Sequence, residues 1–210
     1  MPQVFLSLAK PCEFEIEKIK GSRFLGFARP VEEEKQALAF VEEQRKRYHD
    51  ARHWCWAYRL GRAGESFRYQ DDGEPSGTAG APILAAIDAK RLTYVLVLVV
   101  RYFGGTKLGT GGLARAYGQA AKAVLEKAKI LEVRIDRPVE VVFAYEDTAA
   151  IQGVMHRFQL QPIQALYEER SRLFFSVPSE QAEAFAGALR DASSGRAEIT
   201  IGEEGVQQKA

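Results

Sequence analysis

The residues best suited to chemistry in this sequence are a lysine and a group of glycines within RYFGGTKLGTGGLARAYG (residues 101–118). Five glycines fall between positions 104 and 112, and Lys107 lies among them. Glycine adopts positive φ at little cost and leaves its backbone open to a partner. The apolar run at residues 94–100 predicts a buried strand before this segment, and residues 113–129 predict a helix after it. A glycine turn, a lysine and a helix start together favour an anion-binding site, with phosphate as the expected anion.

This glycine segment also has a structural interpretation. Glycine-rich turns between a strand and a helix often serve only a tight bend, although the basic residues beside these glycines favour binding. The segment lacks the Gly-Lys-Ser/Thr ending of a Walker A loop and the Gly-x-Gly-x-x-Gly spacing of a dinucleotide loop, so it predicts neither ATPase nor dehydrogenase chemistry. The residues expected to bind phosphate or nucleic acid are Arg101, Gly104, Gly105, Lys107, Gly109, Gly111, Gly112 and Arg115.

A second polar segment, DDGEPSGTAGAP (residues 71–82), lies between a predicted strand at 67–70 and a predicted helix at 83–90, with Pro82 expected at the first helical position. Its three carboxylates could hold a hard cation such as Mg²⁺. They could equally close Asx turns and cap the helix, and the absence of a nucleophile with its base favours this structural or binding role. Arg101 could pair with a carboxylate of the segment instead of binding phosphate. The expected motif residues are Asp72, Gly73, Glu74, Ser76, Gly77 and Thr78.

His53 and Cys55 lie two residues apart in a strand predicted at residues 53–60, on the face opposite Trp54 and Trp56. The pair suggests a zinc-binding site. However, the chain has only one further cysteine and two further histidines, which are few ligands for a tetrahedral zinc site. We predict a structural or polar role here, and we predict no metal and no other cofactor.

The two polar segments resemble the two hallmark motifs of the IMPACT family, whose bacterial members are also known as YigZ-type proteins. The matching residues are DGEPSGTAG (72–80) and RYFGGTKLGTGGL (101–113), and SRF (22–24) and HWCWAY (53–58) add to the resemblance. Arg23 and His53 are therefore included as accessory site residues. The resemblance implies an N-terminal domain with the ribosomal protein S5 domain 2-like fold and a ferredoxin-like second domain. This pairing is similar to the last two domains of elongation factor G.

The pattern after residue 137 independently predicts a second domain. Alternation at 139–143, helical spacing at 148–158, strands at 161–169 and 173–177, a helix at 180–192 and a strand at 198–201 give the order βαββαβ. This order is that of the ferredoxin-like split βαβ arrangement. We therefore predict an α+β protein with domains at 1–136 and 137–210, divided near Asp136-Arg137-Pro138.

Composition places limits on the function. Hydrophobic residues make up 46% of the chain, yet no apolar run approaches the roughly 20 residues that cross a bilayer. Two cysteines give no disulfide framework, and the N-terminus does not resemble a signal peptide, so we expect a cytoplasmic protein without a membrane partner.

The charge is unevenly distributed along the chain. Residues 137–210 contain 7 Lys and Arg against 11 Asp and Glu, a net charge of −4, which leaves a net charge of +5 for residues 1–136. A polyanion-binding surface is therefore expected in the first domain.

Three classes of function follow. The first is a non-enzymatic regulatory protein linked to translation, whose basic glycine segment contacts RNA or the ribosome; the resemblance favours it, because the implied folds recur in ribosomal and translation-factor domains. The second is a regulator of a translation or stress pathway that acts through a protein partner. The third is an enzyme acting on a phosphorylated small molecule, in which Lys107 would bind the phosphate and Asp72 would bind a metal ion. The first two are non-enzymatic, and whether the chain catalyses a reaction is left open.

Overall fold

The computed structural model describes residues 3–209 and shows two compact units, one ending at Glu132 and one running from Val133 to Lys209. The division lies four residues before the expected boundary at 136/137. The reason is that a single strand, β7 (Ile130–Phe143), runs without a break through Asp136, Arg137 and Pro138, the residues predicted to mark the boundary. No helix in the described range is long and apolar enough to cross a membrane.

The first unit contains a five-stranded antiparallel sheet in the order β2-β3-β6-β4-β5. The strands of this unit are β1 (Val4–Leu8), β2 (Cys12–Glu15), β3 (Arg23–Pro30), β4 (His53–Leu60), β5 (Ser66–Gln70) and β6 (Val95–Tyr102). Every residue of β6 from Val95 to Val100 is fully buried. This central position accounts for the unbroken apolar run, because a strand covered on both faces cannot alternate apolar and polar residues.

Three helices cover the two faces of this sheet: α1 (Glu34–Arg47), α2 (Gly80–Ala89) and α3 (Thr110–Lys127). α2 and α3 pack on the face that carries Cys55 and Ala57, whereas α1 packs on the face that carries Trp56 and Tyr58. Both faces of β4 are therefore buried.

Two helices begin earlier than the sequence predicts. α3 begins at Thr110 instead of residue 113, so Gly111 and Gly112 belong to its first turn. α2 begins at Gly80, which makes Pro82 its third residue and not its first. Proline is tolerated there because the first amides of a helix have no acceptor within the helix.

The second unit has the element order predicted for it. After β7 come a 3-10 turn (Tyr145–Asp147), α4 (Thr148–Phe158), β8 (Gln164–Tyr167), β9 (Ser171–Pro178), α5 (Ala182–Ala192) and β10 (Glu198–Ile201). The strands lie in the order β10-β7-β9-β8, and Phe175 and Phe185 meet in the core beneath the helices. A further strand, β11 (Gly205–Lys209), also pairs with β7 and was not anticipated. The prediction of an α+β fold is confirmed.

Candidate functional site

The two polar segments meet at one end of the first unit's sheet. β4 and β6 are antiparallel neighbours with His53 opposite Arg101, so the start of β4 lies beside the end of β6. The 71–79 loop leaves β5, the other neighbour of β4, at the same end. Antiparallel pairing thus brings together segments that are about 30 residues apart in the sequence.

Glu74 connects the two segments. Its side chain is only 4% exposed, and Oε1 lies 2.5 Å from Nη1 of Arg101. The same oxygen accepts a hydrogen bond of 2.8 Å from the hydroxyl of Tyr117, a residue of α3. Nε2 of His53 lies 3.8 Å away. Glu74 therefore fastens the 71–79 loop to both β6 and α3.

Arg101 is consequently not a solvent-facing phosphate ligand. Its side chain is 5% exposed, and the ion pair with Glu74 is one of the pairings that the sequence left open. Nη2 lies 3.3 Å from the hydroxyl of Ser22, and the guanidinium lies over the ring of Phe24. The cations on the surface of the glycine segment are Lys107 and Arg115.

Asp71 caps α2. Its carboxylate accepts hydrogen bonds of 2.8–2.9 Å from the backbone amides of Gly77, Ala79 and Gly80. Burial raises the pKa of this carboxyl, but the three amide hydrogen bonds outweigh burial, so the pKa lies below its ordinary value. The sequence left open that a carboxylate of this segment caps the helix, and Asp71, which is not among the predicted site residues, has that role.

Asp72 is held as firmly as Asp71. One carboxylate oxygen accepts the amide of Trp54 at 2.7 Å and the other pairs with Arg45, while its carbonyl oxygen lies 2.9 Å from Nδ1 of His53. Each carboxylate of the loop is thus engaged by a different partner within the protein. No group of three metal-ligating side chains occurs within residues 3–209.

The remaining predicted loop residues lie around this framework. Gly73 and Gly77 have positive φ, and Ser76 is exposed. The hydroxyl of Thr78 donates to the carbonyl of Pro75 at 2.6 Å. These contacts are those of a compact turn.

The buried thiol of Cys55 completes the interior of the site. It donates to the carbonyl oxygen of Asp71 at 3.0 Å, and burial raises the pKa of the thiol far above its ordinary value. Burial likewise raises the pKa of the Tyr117 phenol, with Cys55 and Glu74 adding to the effect. Neither group is poised to ionise near neutral pH, which argues against a nucleophilic role.

Gly104 allows two backbone segments to cross. A Cβ on Gly104 would lie 1.9 Å from the carbonyl carbon of Gly21, and the Gly104 amide donates to the Ser22 hydroxyl at 3.1 Å. Arg23 beside it pairs with Glu15 at 2.7 Å, and its guanidinium lies 5.1 Å from the ring centroid of Tyr102. Residues 22–24, which add to the family resemblance, are therefore in contact with the glycine segment.

The outer part of the glycine segment is open. Gly105 and Gly109 have positive φ and nothing within 4 Å of an added Cβ. Gly109 is the residue before the first turn of α3, and as a glycine it contributes no side-chain cap to that helix. Lys107 and Arg115 are exposed, and Nη1 of Arg115 would lie 3.8 Å from a Cβ on Gly111. The bare amides of the helix start and these two cations form what we call the α3 amide site, defined as residues 105–112 with Arg115.

Comparison with known proteins identifies the family. The model of the Impact N-terminal domain matches residues 20–125. An IMPACT family member of Haemophilus influenzae is 34% identical over 192 residues, which is 90% of this chain and 93% of that protein. The IMPACT family member YigZ of Escherichia coli is 32% identical over 191 residues, 90% of this chain and 94% of that protein.

A solved structure extends this similarity to the fold. A crystal structure titled as that of a hypothetical protein matches with a TM-score of 0.64 and 30% sequence identity, over 95% of this chain and 97% of that one. The chain belongs to the IMPACT family, and the resemblance inferred from its two motifs is confirmed.

Proposed function

We propose that this protein is a non-enzymatic binding protein that acts in translation, and that its first unit contacts RNA phosphates through the α3 amide site. The observation that carries the proposal is the start of α3, which is preceded by the open glycines Gly105 and Gly109 and receives no side-chain cap from its N-cap residue, Gly109. The first amides of a helix lack acceptors within the helix and carry a partial positive charge, so they attract phosphate.

The surroundings of the α3 amide site add to this attraction. Lys107 and Arg115 are exposed and form no ion pair within residues 3–209. Phe103, which precedes the glycines, is 46% exposed, which leaves part of its ring available to stack on a base. The net charge of +5 over residues 1–136 has the sign that a polyanion partner requires.

The contacts of the carboxylates favour binding over phosphoryl transfer. Asp71 caps a helix, Asp72 pairs with Arg45, and Glu74 pairs with Arg101, so their charges are already compensated within the protein. An enzyme of that class needs carboxylates that are directed at a metal ion or a nucleophile.

Sedimentation with purified ribosomal subunits tests the proposal. Because the contacts are to phosphates, the protein should sediment with a subunit at about 50 mM KCl and be released steeply toward about 300 mM. A pull-down from lysate with and without nuclease provides the second arm, in which the co-purifying RNA should be lost on digestion. If no subunit and no nuclease-sensitive RNA is retained even at the lower salt concentration, the proposal is wrong.

A protein partner is the second candidate, and one observation favours it. In the second unit, Ile163 is 70% exposed and Tyr167 is 78% exposed at either end of the edge strand β8. Exposed apolar side chains beside an unpaired strand edge are a common place for a partner to dock. Under this proposal, Ile163→Lys and Tyr167→Lys would abolish retention of a nuclease-insensitive partner, whereas RNA binding would be unchanged.

A further inference from the structure

The first unit contains a cleft at the end of its sheet opposite the α3 amide site. Its volume is about 620 Å³, within the range of small-ligand sites. It is lined by β1, by the turn that follows β4, and by the connection from α2 to β6. Arg59 on its wall pairs with Val95 in the sheet register, whereas His53 pairs with Arg101 at the other end. Six residues of strand separate the two ends, a distance of about 20 Å.

The cleft combines arginines with apolar side chains. Arg59, Arg62 and Arg91 line it together with Asp88 and Glu132, a net charge of +1. Val4, Phe5 and Leu6 provide apolar surface, and Val4 remains 44% exposed. A ligand that fits both kinds of surface carries an anionic group on an apolar body.

Arg59 is held in place by contacts within the protein. Nε of Arg59 lies 2.7 Å from Asp88, and Nη1 donates to the carbonyl oxygen of Gly64. A Cβ on Gly64 would come within 2.8 Å of the Arg59 side chain, so the turn is shaped to fit this arginine. Because a guanidinium has five N–H donors, Arg59 keeps donors for a ligand after making both contacts.

Arg91 occupies a position where glycine is usual. Its φ is +53°, and it follows α2 in a Schellman ending, with the Leu92 amide directed to the Ile87 carbonyl and its own amide to the Asp88 carbonyl. Tyr94, three residues on, also has a φ of +53°. Strained backbone at bulky residues is concentrated at functional sites, and here it holds the segment that forms one wall of the cleft.

We propose that this cleft is a second binding site, which takes a small organic anion with its anionic group on Arg91 and Arg59 and its apolar body against Val4, Phe5 and Leu6. The site is separate from the α3 amide site and does not depend on the proposed function. Phenyl phosphate combines the two required features, whereas inorganic phosphate has only the charge and phenol has only the ring.

Titration of the full chain with these three probes, followed by amide chemical shifts, tests the proposal. Phenyl phosphate should shift residues 59–64 and 91–93 and bind at least about tenfold more tightly than inorganic phosphate or phenol. If phenyl phosphate does not bind, shifts other residues, or binds no better than inorganic phosphate, the proposal is overturned.

Arg91→Gly separates binding from folding. Glycine adopts positive φ without strain, so the melting temperature should stay equal or rise, whereas affinity for phenyl phosphate should fall about tenfold. Lys20→Gly is the matched control, since Lys20 is an exposed cation with a φ of +47° in the same unit. The affinity of the Lys20→Gly protein for phenyl phosphate should stay within about twofold of that of the unaltered protein. Equal affinities of the Arg91→Gly and Lys20→Gly proteins would contradict the site. RNA binding should be unchanged by Arg91→Gly, so failure here is distinguishable from failure of the RNA proposal.

Discussion

Glu74 and Arg101, 27 positions apart in the chain, form an ion pair whose side chains are 4% and 5% exposed. The pair joins the two segments that carry the family resemblance at one end of the first unit's sheet. Tyr117 donates a hydrogen bond to Glu74, and Arg101 donates one to Ser22. The buried pair therefore supports the exposed glycine turn that follows Arg101.

Loss of the Glu74 charge should destabilise the first unit. Glu74→Gln leaves the Arg101 guanidinium buried without a counter-ion, and we expect the free energy of unfolding to fall by about 3 kcal/mol. Urea denaturation provides the measurement. Glu126→Gln, which removes a carboxylate from an exposed pair with Lys122, should cost less than about 0.5 kcal/mol. Similar losses of unfolding free energy in the two variants would show that the buried ion pair contributes no more to stability than the exposed one.

Gly104→Ala should be destabilising for a steric reason. The added Cβ would lie 1.9 Å from a backbone carbon of Gly21 and 2.1 Å from the Ser22 nitrogen, atoms that cannot move without displacing the turn. A loss of at least about 2 kcal/mol in unfolding free energy is expected. Gly118→Ala is the control, because its Cβ meets only Pro82 at 3.8 Å and alanine favours the helix by about 0.5–1 kcal/mol. An unaltered stability of Gly104→Ala would contradict the close crossing.

The cap formed by Asp71 should make stability depend on pH. Since the folded pKa lies below the ordinary value of about 3.9, the stabilisation is complete above that value and is lost as the pH falls through the folded pKa. Asp71→Asn should therefore lose about 1 kcal/mol of unfolding free energy near pH 7 and show a smaller further loss below about pH 4. The exposed Glu43→Gln change should leave the acid-induced loss as it is in the unaltered protein. An Asp71→Asn protein with the full acid-induced loss would refute the cap's contribution.

The two cysteines should differ in reactivity. Cys55 is fully buried, and burial raises the pKa of its thiol, whereas Cys12 is partly exposed. With Ellman's reagent at neutral pH, one thiol should react in the folded protein and the second only after denaturation. The Cys12→Ser protein should show almost no reaction until it is unfolded. Rapid labelling of that variant in the folded state would contradict the burial of Cys55.

Much of the fold follows from residue patterns. The helix predicted at 148–158 is α4 (Thr148–Phe158) to the residue, because four apolar side chains in it repeat at helical spacing. The strand predicted at 53–60 is likewise β4. The early start of α3 was missed because Gly111 and Gly112 disfavour helix, yet they stand in a first turn where amides need no acceptor within the helix.

Other features depend on contacts that no local pattern encodes. β7 continues through Pro138 because its neighbours β9 and β10 supply pairing on both sides, whereas proline alone suggested a break. The choice of Glu74 over Asp72 as the partner of Arg101 depends on the loop conformation, in which Asp72 has a φ of +47° and turns toward Trp54 and Arg45. The role of the glycine segment in phosphate binding stays a prediction.

The central claim is tested most directly by the affinity of a single-stranded RNA for the double variant Lys107→Ala/Arg115→Ala. Fluorescence anisotropy across a range of KCl concentrations should show roughly tenfold weaker binding and a salt slope reduced by about 1.4, as expected for two lost phosphate contacts on a single strand. Lys35→Ala/Lys46→Ala removes the same charge from exposed positions on α1, across the sheet from α3, and should leave both quantities nearly unchanged. Equal weakening by the two double variants, or an affinity that neither the α3 substitutions nor salt alters, would contradict the α3 amide site as the RNA contact.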